Sequence, residues 1–290
     1  MKNPYLPLAM RTEKIVIETD DKNIKTFSLS FLNEEDESSF NYLPGQFVQL
    51  SVLSEGEAPF GIASSPTQPG ELEFTVNKIG VLTTALHNLE KGAIIGIRGP
   101  LGNCFPIEAF EGKNIVIVSG GFAFTTLRSL LKYILYEENR SKFGNVTVIY
   151  GARRPGLLLY KDELKEWEVR PDLDVHLTVD RADDGWRGKV GVVPNVIKEV
   201  APSPENAYTV VCGPPIMIKL TLPVLRQLGF PPERIILSLE MKMKCGIGMC
   251  GRCNIGNKYV CKDGPIFTLA HLNELSGEYK PGGRNFETKK

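Results

Sequence analysis

The chain is 290 residues long and carries 34 Lys and Arg against 34 Asp and Glu. That length can bury a full core and suggests two domains, while the balanced charge leaves neither a basic footprint for nucleic acid nor an acidic tail. The opening "MKNPYLPLAMRTEKIVIETD" lacks the unbroken apolar core of a signal peptide, and no later run approaches the roughly 20 apolar residues of a membrane span. The expectation is a cytoplasmic protein with no nucleic-acid partner and no membrane span, in a compartment where clustered thiols serve as metal ligands more often than as disulfides.

From Thr12 to about residue 108 the pattern is short and alternating: "EKIVIET", "KTFSLSFL", "FVQLSV", "LEFTVN" and "AIIGIRG", with Pro44, Gly45, Pro69, Gly70 and Gly92 at the turns between them. Period-two runs at this spacing predict an antiparallel sandwich or barrel over residues 1–108. Across 109–239 the rhythm changes. "NIVIVSGG" leads into Phe124, Leu127, Leu130, Leu131, Ile134 and Leu135, which share one helical face. Strand and helix then alternate through "VTVIYGAR" and "LLLYKDELKEW", "VHLTVD" and "VVPNVIKEVA", "YTVVCGPP" and "MIKLTLPVLRQL", ending at "RIILSLE". That alternation predicts a parallel sheet covered on both faces. The segment 240–290 shows little apolar periodicity.

That last segment holds four of the six cysteines, Cys245, Cys250, Cys253 and Cys261, in "KCGIGMCGRCNIGNKYVC". Three thiolates from one short loop and a fourth close behind suit a binuclear iron–sulfur cluster, provided glycines let the backbone wrap tightly with its N–H groups toward the sulfurs. Gly246, Gly248 and Gly251 stand where such a loop needs them. A structural zinc site and unrelated thiols are the alternatives, but zinc sites usually present two short-spaced pairs across a longer loop. The first three cysteines have plant-type ferredoxin spacing, yet too few residues remain for that fold. A small [2Fe–2S] appendage is therefore expected.

A cluster passes single electrons and needs a source. In "IVIVSGGFAF" a strand runs into Gly120 and Gly121 and then a helix start, an arrangement that lets backbone N–H groups approach a pyrophosphate, although a glycine pair is common at any βα turn. "VVCGPPIM" places Cys212, Gly213 and Pro214 at a second strand's C-terminal end, where open α/β sheets bind ligands; a turn closed by glycine and prolines over a small buried thiol is the simpler reading.

Taken in order, "PGQFVQL", "PFGIASSP", "GVLT", "VSGG", "YGAR", "CGPP" and the four cysteines resemble the ferredoxin–NADP⁺ reductase superfamily from about residue 10 to 265. Within it the pattern is most similar to the branch that includes electron-transfer subunits of sulfhydrogenase (gamma), anaerobic sulfite reductase and dihydroorotate dehydrogenase. The resemblance implies an N-terminal FAD-binding β-barrel, an NAD(P)-binding α/β domain and a short C-terminal [2Fe–2S] segment. It places Pro59, Phe60, Gly61, Ile62, Ala63 and Ser64 along the flavin, with Ser65 or Pro66 nearby, and Gly80, Val81, Leu82, Thr83 and Thr84 at a pyrophosphate-binding helix start. It also puts Gly120 and Gly121 near the nicotinamide nucleotide's phosphates, Arg153 and Arg154 by its ribose or adenine end, and Cys212 close to the nicotinamide as a positioning residue.

Three departures from the family pattern stand out. Ala58 occupies the position of an arginine that pairs with the FAD phosphates, and Gly61 that of a serine, so the pyrophosphate must rely on the Thr83 turn. After the glycine pair, Phe122, Ala123, Phe124, Thr125 and Thr126 replace a further glycine and a proline, and two phenylalanines there would fill space otherwise given to the nucleotide.

The implied activity is electron transfer between NAD(P)H and the iron–sulfur or flavin subunits of a larger complex, through FAD and a [2Fe–2S] cluster. The alternatives are a dihydroorotate dehydrogenase electron-transfer subunit and a relay or assembly subunit that does not react with nicotinamide. No protein acid, base or nucleophile is required, and His87, His176, His271 and Cys104 read as structural, Cys104 as buried. Val260, Ile266 and Phe267 offer either a docking edge or packing of the tail on its own domain.

Overall fold

The structure is a computed structural model and describes residues 3–68 and 70–276; Pro69 and positions 277–290 of the expected cluster segment lie outside them. Alternation in the N-terminal runs produces six antiparallel strands: β1 (Leu8–Ile17), β2 (Ile24–Phe31), β3 (Phe47–Val52), β4 (Gly56–Gly61), β5 (Leu72–Asn77) and β6 (Ile94–Leu101). They lie in the order β4-β3-β6-β1-β2-β5. Just past β4, Ala63 N–H donates to Glu73 O on β5 at 2.8 Å, drawing the two open edges together into a barrel. Met10, Phe27, Leu29, Val48, Leu50, Phe74, Val76 and Ile97 fill its interior. Helix α1 (Glu34–Ser39) lies in the β2–β3 connection and α2 (Val81–His87) follows β5.

After the short α3 (Ile107–Phe110), the chain enters β7 (Asn114–Gly120) at the middle of the second sheet. It moves outward through β8 (Val146–Ala152), β9 (Leu173–Val179) and β10 (Lys189–Val190), then returns to the other side of β7 as β11 (Ala207–Cys212) and β12 (Ile235–Ser238). These six strands are parallel. Alternation along β7 sends Ile115 and Ile117 to one face and Val116 and Val118 to the other. The first face packs on α4 (Phe124–Leu135), with the short α5 (Glu137–Arg140) after it, and on α6 (Lys161–Glu168). The second packs on α7 (Val193–Val200) and α8 (Pro215–Gln227). The direction reverses between β7 and β11, the switch point at which such sheets take ligands.

The cysteine segment is built into this sheet. A two-strand ribbon, β13 (Asn254–Ile255) with β14 (Lys258–Tyr259), leads through α9 (Val260–Asp263) to β15 (Ile266–Thr268) and α10 (Leu269–Ser276). β15 pairs antiparallel with β12, Leu237 opposite Phe267. The Asn103 side chain donates to Asp263 O at 3.0 Å and Ile266 O at 2.8 Å and accepts from Ile266 N–H at 2.9 Å, which pins the approach to β15. Val260, Ile266 and Phe267 are buried against the chain's own domain, so packing of the tail, not a docking edge, is what these residues do.

One buried cation joins barrel to sheet. Arg128 on α4 is 4% exposed. It donates to Glu163 at 2.6 and 2.5 Å, to Glu73 of β5 at 2.6 Å and to Ala63 O at 3.0 Å, and its guanidinium lies 4.4 Å from the centre of the Tyr160 ring. Next to it, Ser129 Oγ donates to Ser64 O at 2.6 Å. Removing one partner of such a group leaves the others desolvated and uncompensated. With Glu73 and Glu163 still about a quarter exposed, Arg128→Ala is expected to cost about 3 kcal/mol, the low end for a broken buried pair, read as a lowered urea midpoint. Burial raises the Glu163 carboxyl, but the hydrogen bonds and charges of Arg128 and Lys132 together outweigh burial and hold it below its ordinary 4.5. Its stabilisation is thus present above that value and lost as pH falls through the depressed one. Glu163→Gln should be less stable at neutral pH and lose less on acidification below about pH 4.5, measured as urea midpoint against pH.

Candidate functional site

Between the barrel and the parallel sheet lies a cleft of about 280 Å³, near the lower end of small-molecule sites, roughly 300–1,000 Å³. The end of β4 contributes Ala58, Pro59, Phe60 and Gly61, and β5 contributes Thr75 and Asn77. Ile79 and Thr83 come from the turn into α2, Phe122, Thr125 and Thr126 from the start of α4, and Ser238 to Met241 with Met243 from the exit of β12. The predicted flavin residues Pro59, Phe60, Gly61 and Thr83 are therefore brought together with the predicted nicotinamide turn. Ile62, Ala63 and Ser64 are buried beneath the rim, Ile62 in the barrel core. The Ser64 hydroxyl is held by Tyr42 at 3.0 Å and by Glu73 N–H at 3.1 Å.

The turn Gly80–Thr84 is closed by the Thr83 hydroxyl, which accepts from Ile79 N–H at 2.9 Å and Gly80 N–H at 2.8 Å. Val81 is exposed and Leu82 buried, and Thr84 N–H donates to Gly80 O at 2.9 Å. A Cβ at Gly80 would meet nothing within 4 Å, so the turn faces open space. Among the described lining residues Glu240 is the only charged one; no cation compensates for Ala58. The cleft fits a flat aromatic ring held between apolar side chains.

At the switch point Ser119 Oγ donates to Cys212 O at 3.0 Å, locking the ends of β7 and β11 side by side. A Cβ on either Gly120 or Gly213 would displace the end of the Met217 side chain, which packs against both glycines. Gly121 has φ +58 and open space where a Cβ would point, a backbone conformation glycine adopts without penalty. Phe124 does not fill the nucleotide's space: it is fully buried and stacks on Tyr150 with ring centroids 4.2 Å apart. Phe122 alone of the two lines the cleft. Pro214 is exposed beside it, and Arg153 and Arg154 are exposed at the end of β8, whose Gly151 pairs with Gly120.

The Cys212 thiol is buried and directed at Ser238 O, 3.6 Å away. Burial and the nearby Glu240 carboxylate push it up to about 12, so it is a neutral thiol and no nucleophile at neutral pH. Glu240 is exposed as a residue, but its carboxyl end is enclosed at the cleft, where burial raises its pKa. Glu240, Thr75 and the methionines Met241 and Met243 are among the cleft residues that sequence reasoning did not select. The signal for Glu240 was its place at a strand's C-terminal end. Cys104 is half-buried, not buried. His87 Nε2 lies 2.9 Å from Val76 O and His176 Nε2 2.8 Å from Asp174, both outside the cleft.

The four clustered cysteines wrap one loop. Gly248 N–H donates to Cys261 Sγ at 3.1 Å, Met249 and Cys250 N–H to Cys245 Sγ at 3.3 and 3.4 Å, and Cys261 N–H to Cys253 Sγ at 3.4 Å. Gly246, Gly248 and Gly251 have φ of +75, +78 and +68, as the wrap requires. Burial acts to raise Cys245, but backbone N–H groups outweigh it and lower it to about 7. Burial and the neighbouring Cys253 and Cys245 sulfurs push Cys261 up to about 12. That mutual repulsion is what bound iron relieves. A binuclear cluster divides four thiolates between two irons. The donor set fits [2Fe–2S].

Comparison with known proteins agrees with this geometry. The model of the oxidoreductase FAD-binding domain matches residues 13–105, that of the oxidoreductase NAD-binding domain 117–222, and that of the iron–sulfur cluster binding domain of dihydroorotate dehydrogenase B 240–273. The chain is 38% identical to sulfhydrogenase 1 subunit gamma of Pyrococcus furiosus, over 95% of each chain. It is 34% identical to a probable dihydroorotate dehydrogenase B (NAD⁺) electron transfer subunit of Thermococcus kodakarensis, over 85% of this chain and 90% of that one. Among solved structures, a chain of the NADH-dependent reduced ferredoxin-NADP oxidoreductase superposes with a TM-score of 0.70 at 26% identity, covering 97% of this chain and 96% of the other. A ferredoxin NADP⁺ reductase from Neisseria gonorrhoeae shares the fold, with a TM-score of 0.66 at 19% identity over 79% and 96%. Within the described residues no helix is long and apolar enough to cross a membrane. The chain belongs to the ferredoxin–NADP⁺ reductase superfamily, in the branch of FAD-, nicotinamide- and iron–sulfur-binding electron-transfer subunits that contains the sulfhydrogenase gamma and dihydroorotate dehydrogenase B proteins.

Proposed function

We propose that the chain is a diaphorase-type subunit, cytoplasmic, that takes a hydride from NADH or NADPH and delivers electrons singly to iron–sulfur or flavin subunits of a redox complex. The observation that carries this reading is the shared cleft: Pro59 to Gly61 of the barrel, Phe122, Thr125 and Thr126 of the sheet domain and the lead-in to the cysteine loop, Met241 and Met243, all line one space. Bound FAD and [2Fe–2S] supply the conversion of two-electron to one-electron chemistry. The protein's share is placement. Phe60 and Gly61 border the ring's position, and Gly61 keeps it close to the sheet domain, since a Cβ there would approach Thr126 Oγ1 to 3.1 Å. The Gly80–Thr84 turn offers backbone N–H groups to the pyrophosphate. The nicotinamide nucleotide is assigned to Gly120, Gly121, Gly213 and Pro214 at the ends of β7 and β11, with Arg153 and Arg154 toward its ribose. Cys212, a neutral thiol, and Glu240, whose carboxyl burial raises, stand nearby as orienting groups in a process that needs alignment and no protein acid or base. Cys245, Cys250, Cys253 and Cys261 hold the cluster.

An anaerobic UV-visible titration tests the reading. NADH or NADPH is expected to bleach both the flavin band and the broad iron–sulfur absorbance; bleaching by dithionite alone would replace this reading with a relay subunit that does not react with nicotinamide. Cys261→Ser should remove the iron–sulfur absorbance and most of the bound iron while the flavin band stays reducible by the same nucleotide. Retention of two irons per chain in that variant would remove Cys261 from the ligand set.

A further inference from the structure

Away from the cleft, the cysteine loop touches a charged pair that neither flavin nor nicotinamide binding accounts for. Arg98 on β6 is 4% exposed. Its Nη2 and Nε donate to the Glu57 carboxylate at 2.6 and 3.0 Å, its Nη1 to Pro4 O at 2.9 Å, and its Nη2 also to Cys245 O at 3.1 Å. A guanidinium thus rests against the peptide of the first clustered cysteine. Beside it, Gln49 Nε2 donates to Lys244 O at 3.3 Å. Of the loop's other cations, Lys244, Arg252 and Lys262 are exposed, where water and salt screen them, and the half-buried Lys258 is paired with Asp263 at 3.6 Å. Glu57 is more exposed than its partner, its side chain at 35% against 4%, so solvent screens the carboxylate more than the cation. The loop therefore feels an incompletely cancelled positive charge at short range, in surroundings where charges act strongly.

We propose that the Arg98–Glu57 pair sets the reduction potential of the cluster carried by Cys245, with Arg98 favouring the reduced form and Glu57 opposing it. This rests on the four-cysteine [2Fe–2S] assignment above. Reduction adds one electron, and so one negative charge, to the thiolate-ligated group without making or breaking a bond. Net charge near a cluster and hydrogen bonding around it are among the determinants of its potential, and a buried cation stabilises the more negative state. Glu57 is on the strand that ends at Pro59, Phe60 and Gly61, so the charge that tempers the cluster is carried by the strand that borders the flavin.

The test is an EPR-monitored redox titration of the full-length reconstituted protein and its variants. A native protein without a reduced-cluster signal would remove the cluster assignment and with it the basis of this inference. Given that signal, Arg98→Gln, which keeps donors and loses the charge, should shift the midpoint to lower potential. Glu57→Gln should shift it to higher potential, and Arg98→Lys should stay nearer the native value than Arg98→Gln. A purely mechanical role, in which either change merely loosens the loop, moves both glutamine variants in the same direction and overturns the proposal; so does an unchanged midpoint in both. If Arg98→Gln loses its cluster, Glu57→Gln decides alone, and the absence of an upward shift overturns the proposal.

Discussion

Everything the cleft can do depends on the joint made by Arg128. A barrel and a parallel sheet could each bury its own apolar surface without the other, and nothing in hydrophobic burial alone fixes how two such units face one another. The guanidinium supplies that direction because its donors are planar and rigid and its carboxylates come from both sides, Glu73 on the barrel and Glu163 on the sheet domain. A buried ion pair is a poor source of net stability, since desolvation offsets much of its attraction. Its value here is orientation: it grips the Ala63 carbonyl, two residues past Gly61, and so ties the cleft-lining segment to the helix that begins at Phe124.

The cysteine segment is the second dependent part. A loop whose sulfurs accept backbone N–H groups and repel one another has little reason to hold its shape alone. It is instead strung between two fixed points. On one side Gln49 and Arg98 hold the carbonyls of Lys244 and Cys245; on the other, Asn103 and the pairing of β15 with β12 hold the chain after Cys261. Cys253 and Cys261 are buried in the sheet domain's second core, while Cys250 stays exposed. The ordering energy of the loop is thus supplied by elements whose own cores are complete.

Much of this was legible in the sequence. Period-two runs gave the barrel strands, the βα rhythm gave the sheet, and cysteine spacing with three glycines gave the wrapped loop. What escaped was whatever depends on partners far apart in the chain. Phe124 reads as an intruder in a glycine turn, yet it belongs to the helix, and its ring stacks on Tyr150, 26 positions away, in the core. Val260, Ile266 and Phe267 read equally as docking edge or core, because three apolar residues are too short a run to show that a seventh strand would form. Arg128 carries no motif: only the meeting of Glu73 and Glu163 in space makes it a joint. Glu240 and Thr75 enter the cleft because strands from two domains end beside each other there, a fact of topology that no local pattern records.

The departure at Ala58 gains meaning from the same geometry. Ala58 lies opposite Leu50 in the β3–β4 register, and Gln49 lies opposite Pro59. A long basic side chain at position 58, next to Glu57 but on the opposite face of the strand, would have put a cation into the cleft lining. With alanine there, the Glu57 carboxylate answers one guanidinium and the cleft lining stays nearly uncharged. The cleft side is dominated by apolar contact, and the Arg98–Glu57 pair lies on the cysteine side, with Arg98 on β6, two strands from β4 at roughly 5 Å per strand. The barrel edge therefore separates two electrostatic environments with two strands, an apolar one facing the cleft and a cationic one facing the loop.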